Sequence, residues 1–217
     1  MEKHYNSSST YSMKVGGTLP FLLDAVKYRV HGAEVKNTLV EGEKIAAGTP
    51  VEYTLSTHQA KFLKVWKVKS VEADASNGTT VVTLFKNAIT PKITATTVVM
   101  VAPSTIAGTG KAVAVGTLTE TDTTISFTVT TTSIDSVTAN ALLVEAAEAG
   151  SAKAMYCKPG TLSVEDIIAG GIYTLVDVPV GIVHAHQNCA NPYPDAVLAN
   201  LNDSILMVWE WFNETNA

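Results

Sequence analysis

The chain has 217 residues, 46% hydrophobic and 16% charged, with a formal net charge of −5. That composition supplies a core for one large or two small domains and excludes a disordered chain. Arg29 is the only arginine, so bidentate phosphate clamps are almost absent and a nucleic-acid partner is excluded. No run of about 18 apolar residues exists to span a bilayer, so no membrane partner is expected. Residues 1–10 lack the apolar centre of a signal peptide, so folding in a cytoplasm is expected, with Cys157 and Cys189 as free thiols. Residues 1–57 carry six basic and six acidic groups and residues 58–151 seven of each. The imbalance therefore lies after residue 152, where Lys153 and Lys158 face seven carboxylates, and a partner there is expected to be neutral or basic.

The polar arm through Ser12 is expected to be a tail. Leu19, Pro20, Phe21, Leu22 and Leu23 follow as an apolar anchor, and residues 26–30 alternate like a half-buried strand that ends in a polar turn at His31-Gly32. Residues 40–51 predict a turn, a short contact strand, a glycine turn and a strand entered through Pro50. From Ala60, Lys61, Lys64, Lys67 and Lys69 interleave with Phe62, Leu63, Val65, Trp66 and Val68. That run predicts a strand with an exposed face or an exposed edge. Asn77-Gly78 then predicts a hairpin through a type I′ turn, between a strand ending near Glu72 and the run 79–85.

Roughly a third of residues 79–132 are threonine, whose branched Cβ suits a pleated surface and whose hydroxyl tolerates water. A second hairpin is predicted at Thr121-Asp122, joining 112–119 to 123–130. In it Ile125, Phe127 and Val129 face inward while Thr124, Ser126 and Thr128 face out. Residues 141–149 predict a strand and a turn at Gly150. Residues 163–168 predict one helical turn capped by Ser163 and stopped by Gly170-Gly171. Strands 172–178 and 180–186, joined through Pro179, precede a short helix over 195–201 and a last strand over 205–212, covered on both faces.

Few residues suit chemistry. His184, His186 and Cys189 are the one group resembling a metal site, but no fourth ligand stands out beyond Asp177, Asp195 or a water. Surface histidines beside the polar turn Gln187-Asn188 are the better reading, and no metal or other cofactor is expected. Neither cysteine sits in a glycine-rich elbow that would favour a nucleophile. Glu41, Glu43 and Glu52 read as solvated charge on turn and strand faces. The runs Gly108-Thr109-Gly110 and Gly170-Gly171 lack the lysine and helix start of a phosphate loop. No catalytic residue is assigned, and a non-enzymatic protein is expected. Trp66, Trp209, Trp211 and Phe212 read as core or interface anchors. A sugar-stacking role for them is the alternative, in a β-sandwich module that recognises a bacterial surface glycan.

Three pieces of the sequence carry a resemblance: HYNSSST with LPFLL, the unit GEKIAAGTPV (42–51), and the late unit KPGTLSVED (158–166) followed by PVGIV (179–183). They resemble capsid auxiliary proteins of tailed phages, the head fibre and head decoration proteins, over about the first 55 residues and the last 65 or so. The resemblance implies a non-enzymatic virion protein on the outside of a capsid, with the major capsid protein as partner and a homo-oligomeric state, trimeric rather than dimeric. The expected fold is mostly β with few short helices. A discontinuous, barrel-like base (1–57 plus 152–217) would dock and oligomerise through Leu19, Phe21, Leu22, Trp209, Trp211 and Phe212. An inserted antiparallel sandwich or barrel (58–151) would project from it.

Overall fold

Short β-branched runs punctuated by Gly, Asn, Pro and Thr turns make strands rather than helices, and the fold is mostly β. The computed structural model describes residues 22–25, 28–163, 166–170, 175–180, 182–186, 192–204 and 206–210. In chain order the strands begin with β1 (Leu22–Ala25), β2 (Tyr28–Val35), β3 (Lys44–Ile45), β4 (Pro50–Thr54), β5 (Gln59–Phe62) and β6 (Val65–Asp74). Next come β7 (Thr79–Phe85), β8 (Val98–Val101), β9 (Thr109–Ala114), β10 (Leu118–Glu120), β11 (Thr124–Thr130), β12 (Leu142–Glu145) and β13 (Gly150–Ala154). The last are β14 (Thr161–Leu162), β15 (Ile167–Ile168), β16 (Leu175–Val180), β17 (Ile182–His186) and β18 (Leu206–Glu210), with helix α1 (Asp195–Ser204) before β18.

Strands β6 to β13, an unbroken stretch of chain, form one eight-stranded sheet in the order β10-β11-β7-β6-β12-β8-β9-β13. It cannot be flat. Consecutive strands β9 and β10 lie six strand positions apart, about 29 Å in a flat sheet, yet the residues joining Ala114 to Leu118 reach only about 14 Å. The sheet therefore folds over, and β6 makes the bend: its start pairs with β12 over Val65, Trp66 and Lys67, and its remainder pairs with β7. The register slips between Val68 and Ser70, a bulge of the kind that lets one strand serve two packed layers. Trp66, Val68, Val82, Leu84, Val99, Ile125, Phe127, Val129 and Leu143 fill the space between the layers.

The chain before and after that stretch pairs with itself. A five-stranded sheet runs β14-β4-β5-β2-β16, a three-stranded sheet runs β1-β17-β18, and β15 pairs with β3. Strands β17 and β18 are parallel, an arrangement that needs a crossover, and α1 lies in it. A further core joins both regions: Leu63, Val65, Met100 and Val144 pack with Cys157, Leu162, Tyr193, Val197 and Leu201.

Several sequence expectations hold. Ile125, Phe127 and Val129 are buried while Thr128 is exposed, the 40–51 segment has its short strand and its turn at Gly48, and 195–204 is helical. Others need correction. The turn at Asn77-Gly78 is a four-residue loop, because Asp74 pairs with Thr79 and only Gly78 in it has positive φ, at 62°. The Asp74 carboxylate builds that loop by accepting from the amides of Ser76 and Asn77 and from Asn77 Nδ2, which hold its pKa low. The lysine run is two strands, and β6 is interior, so Lys67 and Lys69 mark an exposed face and not an edge.

His31-Gly32 is no turn. It lies within β2, where Gly32 at φ 68° absorbs a bulge opposite the slip between Val176 and Val178. The strand expected over 112–119 breaks at Gly116, φ 68°, where the chain crosses between layers. Of the helical turn expected at 163–168, the described residues show something else: Ile167–Ile168 is a strand, and Ser163 accepts the Thr49 amide and donates to the Ala46 carbonyl. The backbone at Gly78 gives a direct check, since a β-branched residue is strained at positive φ. Gly78→Val should lower the unfolding free energy by roughly 1–2 kcal/mol, measured by urea denaturation.

Candidate functional site

Lys64 sits in the break between β5 and β6, flanked by Leu63 and Val65. Its parity matches Phe62, Trp66 and Val68, all buried, so it points inward. Lys64 is 4% exposed, and Glu43, in the turn before β3, is fully buried. Lys64 Nζ lies 2.7 Å from Glu43 Oε1. Glu43 is thus the opposite of the solvated charge expected from sequence. Its Oε2 accepts the Val40 amide at 3.0 Å, its carbonyl accepts the Ala169 amide, and the neighbouring Gly42 amide donates to the Ala169 carbonyl. The carboxyl is therefore held in place from both ends.

Glu145 completes the cluster from the end of β12. Its amide donates to the Lys64 carbonyl, its carbonyl accepts from Tyr156, and its buried Oε2 has no hydrogen-bond partner among the described residues. Desolvation, offset in part by Lys64 and reinforced by Glu43, pushes its pKa up from 4.5 to about 7. Burial and the same negative field raise Tyr156, whose hydroxyl donates to the Lys36 carbonyl. Burial, Glu52 and Glu145 also push the Cys157 thiol far up. Cys157 is a free thiol held protonated in the core, the reverse of an activated nucleophile.

The residues singled out in the sequence fall elsewhere. Leu22 of β1 and Trp209 of β18 are brought into one row of the three-stranded sheet, each paired with Ala185 of β17. Leu19, Phe21, Trp211, Phe212 and Cys189 lie outside the described residues. His184 and His186 stand two positions apart on β17, in register with Val208 and Glu210. Among the described residues no group of three or more His, Cys, Asp or Glu side chains is placed to hold a metal. Trp66 is no sugar platform: it is 1% exposed and its indole donates to the Pro91 carbonyl at 3.0 Å.

The surface offers two features. An open cleft of about 600 Å³ runs beside β11 and the β9–β10 connection, lined by hydroxyls such as Thr119, Thr128 and Thr130 with Val81 and Val113, and by no charged side chain. The exposed large apolar side chains among the described residues are Val40, Leu55, Phe85, Ile168 and Leu175. Only Phe85 of these belongs to 58–151.

Sequence reasoning missed Lys64 and Glu43. For Lys64 the signal was present in its parity, which differs from that of Lys61, Lys67 and Lys69. For Glu43 no local signal exists. No family model, no curated protein and no solved structure matches this chain.

Two outcomes follow from the cluster. Glu145 binds a proton in the folded state at pH values where the unfolded chain has lost it. Stability should therefore fall as pH rises from about 4.5 to about 7 and then level off, a change on the order of 3 kcal/mol. Glu145→Gln should flatten that slope in denaturant titrations across this range. Lys64→Met should destabilise by about 3–5 kcal/mol, since it strands the Glu43 charge in the core, and Lys64→Met combined with Glu43→Leu should recover most of that loss.

Proposed function

We propose that this protein is a non-enzymatic structural component of a tailed-phage virion, a homo-oligomer, trimeric by preference, that decorates the outside of the capsid. In this reading the segments 1–57 and 152–217 dock on the major capsid protein and 58–151 projects. The observation that carries it is the placement of exposed apolar surface. Leu55 is 78% exposed and Ile168 71% exposed, and with Val40 and Leu175 they fall in the two outer segments, while 58–151 contributes Phe85 alone. The outward faces of β7 and β11 instead carry hydroxyls, with Thr83 and Ser126 bonded to each other at 3.0 Å. An uncharged hydroxyl face stays solvated, whereas exposed aliphatics gain free energy when a partner covers them. Each aliphatic contributes about 1.5–3 kcal/mol when covered, and a symmetric oligomer repeats that contribution at several identical lattice sites.

The reactive-type groups support the same reading. Glu43, Lys64 and Cys157 are inside the core, occupied with one another and with backbone. The uncharged cleft beside β11 favours a second reading, a module that binds a neutral surface glycan; the burial of Trp66 removes one aromatic platform from it.

Purified protein should co-sediment with capsids stripped of auxiliary proteins. The double variant Leu55→Asp, Ile168→Asp should lose about tenfold or more in that binding with an unchanged melting temperature. Undiminished binding of the variant would place the docking surface elsewhere. Saturable glycan binding by a protein that ignores capsids would favour the second reading.

A further inference from the structure

We propose that Lys64 and Glu43 join covalently, through an amide between Nζ of the lysine and Cδ of the glutamate, with Glu145 as the proton carrier. Three observations lead there. First, Nζ and Oε1 are 2.7 Å apart, yet Oε1 makes no aligned hydrogen bond. Contact with Oε1 puts the amine one bond away from Cδ, the carbon it would attack. The turn hydrogen bond from Val40 to Oε2 keeps that carboxyl from rotating away. Reacting groups fixed at contact distance on a rigid frame gain effective molarities on the order of 10⁵ M or more.

Second, both side chains are sealed from solvent. A buried ion pair bears the desolvation of two charges, and a neutral amide of the same atoms bears neither. Third, the carboxyl that a condensation needs as a proton carrier is present. Glu145 meets Lys64 through the hydrogen bond from its own amide to the Lys64 carbonyl, its buried Oε2 has no hydrogen-bond partner among the described residues, and at neutral pH a large fraction of it carries a proton.

The step balances without any added reagent. Transfer of one Lys64 proton to Glu43 leaves an amine and a carboxylic acid. The nitrogen lone pair attacks Cδ to form the C–N bond, the protonated Glu145 gives its proton to the departing hydroxyl as the C–O bond breaks, and the Glu145 carboxylate then takes the proton that the nitrogen sheds. One water leaves, no atom changes oxidation state, and Glu145 ends as it began. The product ties the turn before β3 to the β5–β6 junction, the seam where the five-stranded and eight-stranded sheets meet.

The test is the mass of the purified full-length protein under denaturing conditions, set against Lys64→Arg, which keeps the charge but cannot form this amide. The wild type should be lighter than its sequence requires by one water and Lys64→Arg should not. Tryptic digestion of the wild type should give a branched peptide in which residues 37–44 are attached to residues 62–67, uncleaved at Lys64. A wild-type mass equal to that of the sequence, with cleavage after Lys64, would overturn the proposal. Glu145→Gln, confirmed as folded by circular dichroism, should keep its full mass. Loss of water in that variant would remove Glu145 from the reaction.

Discussion

The contact between Lys64 and Glu43 is the constraint around which the rest of the molecule is arranged. Two charges removed from water are tolerable only if neither partner moves, so every segment carrying them is pinned. The turn at 40–43 is fixed to Ala169, and residue 64 is fixed by the amide of Glu145. Asp166 adds to this by pairing with Lys44 at 2.8 Å and accepting the Ala47 amide. Strands from the start, middle and end of the sequence thus converge on one lysine. Leu63 and Val65 on either side of it belong to the apolar cluster that includes Cys157, Leu162 and Val197. The eight-stranded sheet therefore meets the five-stranded sheet at this seam. The two share a core at the place where one chain segment leads into the other.

Away from that seam the demands on the sequence are simpler. The layers of the eight-stranded sheet need one apolar face and one face that tolerates water, and threonine meets the second need without charge. Thr80 of β7 bonds to Thr131 just beyond β11, and Thr121 bonds to Thr124 across a turn, so these hydroxyls are spent on one another. A surface of that kind is stable and unreactive. It agrees with the scaffold role proposed above, in which the exposed aliphatics of the outer segments would supply the contacts.

Much of this fold was legible in the sequence where a single strand decides its own environment. Period-two alternation put Phe127 inside and Thr128 outside, and the pattern around Pro50 and Gly48 marked strand and turn. Reading failed where the answer depends on residues far apart in the chain. Nothing near Glu43 says that a lysine arrives from the β5–β6 break, and nothing near Ser163 says that its hydroxyl is taken by the turn at 46–49 rather than by a helix. The bend of β6 was equally hidden, because a bulge at Lys69 alters pairing without altering composition. Lys64 is the intermediate case, since its parity among Phe62, Trp66 and Val68 signalled burial but its partner stayed unknown.

The central claim is that the two β regions are welded through this buried seam and behave as one cooperative unit. Differential scanning calorimetry of the full chain tests it most directly. The account predicts one transition whose calorimetric enthalpy matches the van't Hoff enthalpy. Two resolved transitions, with one region melting while the other keeps its structure, would contradict it.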